Sequence, residues 1–198
     1  MSNTSILEHP LHYTILKKLT EERSKWSTDM EQSIWSSINK FLNSQFEPTS
    51  SFTVCPTSYL AGEDNCVWAS LCFTIEYHNI PLLWIGVEPL SRLSSGTNRR
   101  VAYRNIVNKL GDFVSIIPKD ESHIYGISFF GSKYNIISVE RSTYEISPCL
   151  PILNYNNINR DVPLIEWWSN DIQDIDGARI IIDLFNKIKL SYCIKNLS

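Results

Sequence analysis

The stretch Pro81 to Leu110, PLLWIGVEPLSRLSSGTNRRVAYRNIVNKL, decides how this chain is read. It opens with the apolar run Leu82–Val87, bounded by Pro81 and Pro89 and far too short to cross a membrane. An apolar run of that length between breakers reads as a strand buried on both faces. A polar loop containing Gly96 follows, and then a basic helical pattern that starts near Thr97. A buried strand that ends in a carboxylate, Glu88, and leads into an arginine-bearing helix is a common site geometry in α/β folds.

On the N-terminal side of that strand, residues 67–77 alternate strictly. Val67, Ala69, Leu71, Phe73, Ile75 and Tyr77 point one way, and Trp68, Ser70, Cys72, Thr74 and Glu76 the other. His78-Asn79 then turns the chain, which makes the two strands a hairpin. Ser51–Cys55 reads as a further short strand, and Gly62-Glu63-Asp64-Asn65 as a turn cluster. Before them, Met30, Ile34, Ile38, Phe41 and Leu42 recur at helical spacing, with Trp26 and Trp35 widening the stripe. Thr28 and Glu31 have capping-box spacing at the head of that helix. Residues 1–10 form a loose leader, and His12–Arg23 a short helix.

On the C-terminal side, Val101, Tyr103, Ile106, Val107, Leu110, Phe113 and Val114 mark the inward face of the basic helix. Arg100, Arg104 and Asn108 share another face. Ile124–Phe130 and Tyr134–Glu140, separated by Gly131-Ser132-Lys133, form a second hairpin. Tyr144–Ser147 reads as an edge strand, and Pro148–Pro163 as a long surface connection. A last helix carries Ala178, Ile181, Ile182, Phe185 and Ile188. The order is helix, three strands, helix, two strands, helix, which packs economically as one mixed α/β sheet flanked by helices. The whole chain, 1–198, is expected to be one domain: leader and short helix to 27, core 28–147, connection 148–165, and helical tail from 166.

With 198 residues, 43% hydrophobic, the chain is long enough to bury a sizeable core. A net charge of −3 and a pI of about 5.8 exclude a global field that draws the protein onto nucleic acid or anionic lipid. No run approaches the roughly 18 apolar residues of a membrane helix, and the N-terminus lacks the pattern of a secretory signal. Cys55, Cys66, Cys72, Cys149 and Cys193 are odd in number and have no CxxC spacing. The four histidines complete no zinc pattern. Reduced thiols in an intracellular protein, cytoplasmic or nuclear, are the expectation.

Three stretches carry a resemblance to a known family: Leu83-Trp84-Ile85-Gly86-Val87-Glu88-Pro89, Ile124-Tyr125-Gly126-Ile127-Ser128, and Glu166-Trp167-Trp168-Ser169-Asn170-Asp171-Ile172. The element order resembles the PD-(D/E)XK nuclease-like core (restriction-endonuclease-like, αβββαβ), and these stretches make residues 80–198 resemble one form of protein that carries it. The form is that of intracellular fungal proteins related to Crinkler-type effectors and kinase-linked fungal proteins. In that family the third core strand ends in acid-x-lysine, usually followed by proline. The resemblance implies an acid that holds a divalent metal on the scissile phosphate and a lysine that serves the attacking water. Aligning the proline puts Gly86 at the acid and Glu88 at the lysine, so both positions are lost. Shifting by two makes Glu88 the acid but leaves Leu90 at the lysine. The nearest cation is then Arg92, a poor substitute where a neutral amine is wanted. Other family acids would fall at Asp64, Glu76 and Glu31.

Each candidate has a plainer reading. Glu88 can be a solvated loop carboxylate, Asp64 a turn residue and Glu31 a capping partner. Arg92, Arg99, Arg100, Arg104 and Lys109 suit phosphate contacts at a helix N-terminus, and equally a solvated helix face. Trp167-Trp168 suits base stacking, and equally a packing anchor. The leading expectation is a degenerate nuclease-like module that binds nucleic acid or a protein partner, with no cofactor required. The alternative is an active Mg2+-dependent nuclease that pairs Glu88 with Asp64 or Glu76. A purely structural interaction domain is the third. The separation of those carboxylates discriminates between the first two.

Overall fold

The computed structural model describes residues 30–47, 50–63, 66–117, 123–149 and 163–195. Their elements run α1 (Met30–Gln45), β1 (Phe52–Glu63), β2 (Cys66–Tyr77), β3 (Ile80–Glu88), a 3-10 turn (Leu90–Arg92) and α2 (Gly96–Val114). Then come β4 (His123–Phe130), β5 (Lys133–Glu140), β6 (Glu145–Ser147), a second 3-10 turn (Ile165–Trp168), β7 (Asn170–Asp171) and α3 (Ile175–Lys195). The sheet is ordered β1-β2-β3-β4-β5-β6, with β7 also paired to β5. Only β3 and β4 are parallel among these pairs. The connection between them carries α2, because parallel neighbours need a long crossover.

Period-two alternation assigns the two faces. Phe73, Ile75, Leu83, Ile85, Val87, Ile127 and Phe129 face α1 and α3. Cys72, Trp84, Ile124, Ile137 and Val139 face α2, which contributes Tyr103, Ile106, Leu110 and Phe113. The mixed α/β fold expected from the sequence is thus present in three layers, and β3 is buried on both faces as its apolar run implied. Rings bind the first layer together. Phe185 of α3 meets Phe41 of α1 and Phe46, just past the end of that helix, at 5.8 and 5.1 Å, and Phe52 of β1 continues the cluster to Tyr77 of β2 at 4.9 Å.

Turn chemistry fixes the registers. His78 and Asn79 both have positive φ, 49° and 64°, between the paired Tyr77 and Ile80. Two residues of that conformation form the hairpin turn whose twist matches its strands. Gly131, φ 63°, opens the turn between Phe130 and Lys133.

Several boundaries differ from expectation. β1 reaches Glu63 rather than ending at Cys55, through Pro56, which pairs with Phe73. Proline is tolerated there because β1 is an edge strand, and Pro56, Thr57 and Ser58 are exposed. That polar outer face hides the strand from a pattern search. The second turn is Gly131-Ser132 alone, Lys133 already being in β5. β7 and the 3-10 turn before it lie in a tail whose sequence shows neither period. The helix expected over 12–23 and most of the connection after Pro148 fall outside the described residues.

One contact seats α3 on the sheet. Tyr134, fully buried in β5, donates its hydroxyl hydrogen to the Gly177 carbonyl at 2.6 Å. Gly177 packs so closely on β7 that a Cβ there would lie 2.0 Å from the Asp171 carbonyl oxygen. Gly177→Ala is therefore expected to cost about 1–3 kcal/mol or more through overpacking, read by chemical denaturation. Tyr134→Phe removes this hydrogen bond and should cost about 0.5–1.5 kcal/mol. Burial, and then the charge of Asp171, push the Tyr134 phenol above its ordinary range. Its neutral form is favoured in the folded chain, so this contribution is complete below about pH 10, the ordinary tyrosine value. It is lost as pH rises above that towards the raised folded value. Tyr134→Phe should remove this part of the alkaline loss of stability.

Candidate functional site

Alternation along β3 puts Trp84, Gly86 and Glu88 on the α2 face, at the end where the parallel pair β3/β4 terminates. Crevices at the carboxyl ends of parallel strands are where α/β folds place their sites. Glu88 is not the solvated loop carboxylate that its position before Pro89 suggests: it is 4% exposed. Burying a carboxylate is costly unless it is paired and hydrogen-bonded, and both Glu88 oxygens have partners. The Ser70 hydroxyl of β2 donates to Oε1. Arg92 donates from Nη1 to Oε2 at 2.8 Å, one 3-10 turn downstream. The Glu88 backbone is held as well, its carbonyl accepting from the Gly131 N–H at 2.8 Å.

The neighbouring position on this face is filled. A Cβ on Gly86 would lie 2.7 Å from Cζ3 of Trp84, so the indole lies across the glycine. Gly86 stands in a row with Cys72 on β2, Ser128 on β4 and Asn135 on β5. Burial pushes the Cys72 thiol up, against the lowering effect of its hydrogen bond with Thr57. A protonated, buried thiol is neither a good metal ligand nor a good nucleophile.

Glu76 does not join Glu88. Glu76 sits at the far end of β2, opposite Thr53 and Pro81, and six residues from Ser70. At 3.2–3.4 Å per residue that is about 20 Å, too far to share a metal, which corrects the pairing expected of these two. Glu76 instead acts on Cys55, whose thiol is raised by burial first and by the Glu76 charge second. Asp64 and the Glu31 side chain lie outside the described residues. Among the described residues, no three His, Cys, Asp or Glu side chains come together to hold a metal. The Glu88 site does not fit the divalent cation that the resemblance implies. Among the described residues it offers one carboxylate, already facing a guanidinium that would repel a second cation.

The arginines divide. Arg92 is committed to Glu88. Arg99 ties the loop before α2 to the later chain, donating from Nε to Pro163 O at 2.9 Å and from Nη1 to Leu93 O at 2.8 Å and Ser94 O at 3.1 Å. Arg100 is half-buried and Arg104 exposed, while Lys109 pairs with Asp112 at 3.3 Å on the surface. The first turn of α2 is capped by Ser95, which accepts from the Asn98 N–H. The five cations therefore do not act as one phosphate-binding group. Trp168 is 1% exposed and meets Phe130 edge-on at 5.3 Å; Trp167 meets Tyr103 at 5.8 Å. Both pack, and Trp168 offers no free face for a base.

Ser70 is the site residue that sequence reasoning missed. Its only signal was its place on the polar side of the β2 alternation. The Glu88–Arg92 pair had a signal in its four-residue spacing.

No protein-family model, no curated protein and no solved structure matches this chain.

Arg92→Met should destabilise the fold by about 2–3 kcal/mol, less than for a fully buried pair because the Arg92 side chain is 24% exposed. Combining it with Glu88→Gln should cost less than the sum of the two. Gly86→Ala should cost about 1–3 kcal/mol by displacing the Trp84 ring, with a change in indole fluorescence as the direct readout.

Proposed function

We propose that this chain is a nuclease-like scaffold that has lost metal-dependent chemistry and serves inside the cell as a binding module for a protein partner. The observation that carries the reading is the saturation of Glu88 by Ser70 and Arg92. Three further points support it. The order α1, β1–β3, α2, β4 is the one the nuclease-like core requires. The adjacent Gly86 position is covered by Trp84, which leaves no room for an acid there. No helix among the described residues is long and apolar enough to cross a membrane.

A protein partner is favoured over nucleic acid because two of the five cations proposed for phosphate contacts have structural duties instead. The nucleic-acid version rests on Arg104, exposed on α2. Incubation of supercoiled plasmid and single-stranded oligonucleotides with Mg2+ or Mn2+ is expected to give no cleavage. Cleavage that disappears in Glu88→Ala would overturn the proposal. Fluorescence anisotropy with a labelled duplex decides the partner class. Weak binding, unchanged by Arg100→Glu with Arg104→Glu, supports the protein reading. Tight, salt-dependent binding lost in that variant supports nucleic acid.

A further inference from the structure

The opposite end of the sheet, away from Glu88, holds a cleft that the reading above does not use. It lies between the start of β4 and the last turns of α3, lined by Leu82, Ile117, His123, Tyr125, Lys187, Ile188, Ser191 and Tyr192, and it measures about 400 Å3 including its open mouth. Its lining has two chemically distinct parts. Leu82, Ile117, Ile188 and Tyr192 are buried side chains and make an apolar floor. His123, Tyr125 and Lys187 make a polar rim that, among the described residues, contains no carboxylate.

The rim is organised. Lys187 is exposed and donates from Nζ to the Tyr125 hydroxyl oxygen at 2.8 Å. An ammonium has three donors, so this contact fixes its position and leaves donors for a ligand. By accepting from a cation, the phenol becomes a better donor of its own hydrogen. The His123 ring lies stacked beside Tyr125, with centroids 6.2 Å apart and an interplanar angle of 17°. Ser191 is turned inward to the Lys187 carbonyl at 3.0 Å and adds no negative charge. The acid nearest in register, Glu140, pairs with His123 across the β4–β5 ladder and accepts from the Ser142 and Thr143 hydroxyls.

From this juxtaposition we propose that the cleft binds a small organic anion. Its carboxylate or phosphate would be held by Lys187 and Tyr125, with a flat apolar body against Ile117, Ile188 and Tyr192. The assignment does not depend on the degenerate-nuclease reading, because the cleft lies at the other end of the sheet.

The test is titration of the full chain with benzoate, phenyl phosphate and benzyl alcohol, followed by amide chemical shifts. The proposal expects saturable shifts confined to residues around His123, Tyr125 and Lys187 with at least one anion, and much weaker binding of the neutral alcohol. The preferred anion separates a carboxylate site from a phosphate site. Lys187→Met removes an exposed side chain and should weaken binding about tenfold or more, the worth of a charge-assisted hydrogen bond. Tyr125→Phe should weaken it by a smaller factor, while Glu88→Gln should leave it unchanged. Absence of saturable binding, equal binding of benzyl alcohol, or an unaltered affinity in Lys187→Met would each overturn the assignment.

Discussion

A strand with apolar side chains on both faces must be covered twice, and β3 imposes that condition on this chain. Leu83, Ile85 and Val87 need the layer formed by α1 and α3, and Trp84 needs α2. Fully burying each such side chain is worth about 1.5–3 kcal/mol, so neither layer can be absent without exposing several of them to water. The parallel neighbour β4 follows from the same constraint, since the crossover that makes it parallel also carries the covering helix. The aromatic cluster of Phe41, Phe46, Phe52 and Phe185 closes one layer, and the Tyr134–Gly177 contact sets where α3 begins.

At the end of this strand the chain has a buried carboxylate, which in such a fold invites catalysis. What surrounds Glu88 argues for another outcome. A buried acid that is to hold a metal needs a second acid and an open side; Glu88 has a hydroxyl on one oxygen and a guanidinium on the other. Removing a partner would be costly, while the intact trio is quiet. Its role is architectural: it joins β2, the end of β3 and the following turn, just where Gly131 closes the β4–β5 hairpin onto the Glu88 carbonyl.

Much of this was legible in the sequence, and the illegible parts have physical reasons. Alternation in β2, the apolar run of β3 and the helical stripe of α2 all report burial, which is what a hydrophobic pattern records. The extent of β1 escapes the pattern because Pro56, Thr57 and Ser58 are exposed and break any apolar alternation. The 165–171 segment was opaque because its order comes from Trp168 packing on Phe130 and from Ile172 donating to the Ser132 carbonyl, contacts between residues far apart in the chain. The site was half legible. The position of Glu88 at a strand end was clear, but whether it faced water or Ser70 depended on strand register. The basic group looked like one patch because spacing along a helix does not disclose that Arg99 reaches back to the Leu93 and Ser94 carbonyls.

The most direct test of the central claim, that Glu88 is satisfied by Ser70 and Arg92 and not by a cation, is isothermal titration of the intact protein with Mg2+ and Mn2+, repeated on Glu88→Ala. The account predicts no stoichiometric binding in either protein. Stoichiometric binding to the intact chain that vanishes in Glu88→Ala would contradict it and would place a metal at the end of β3.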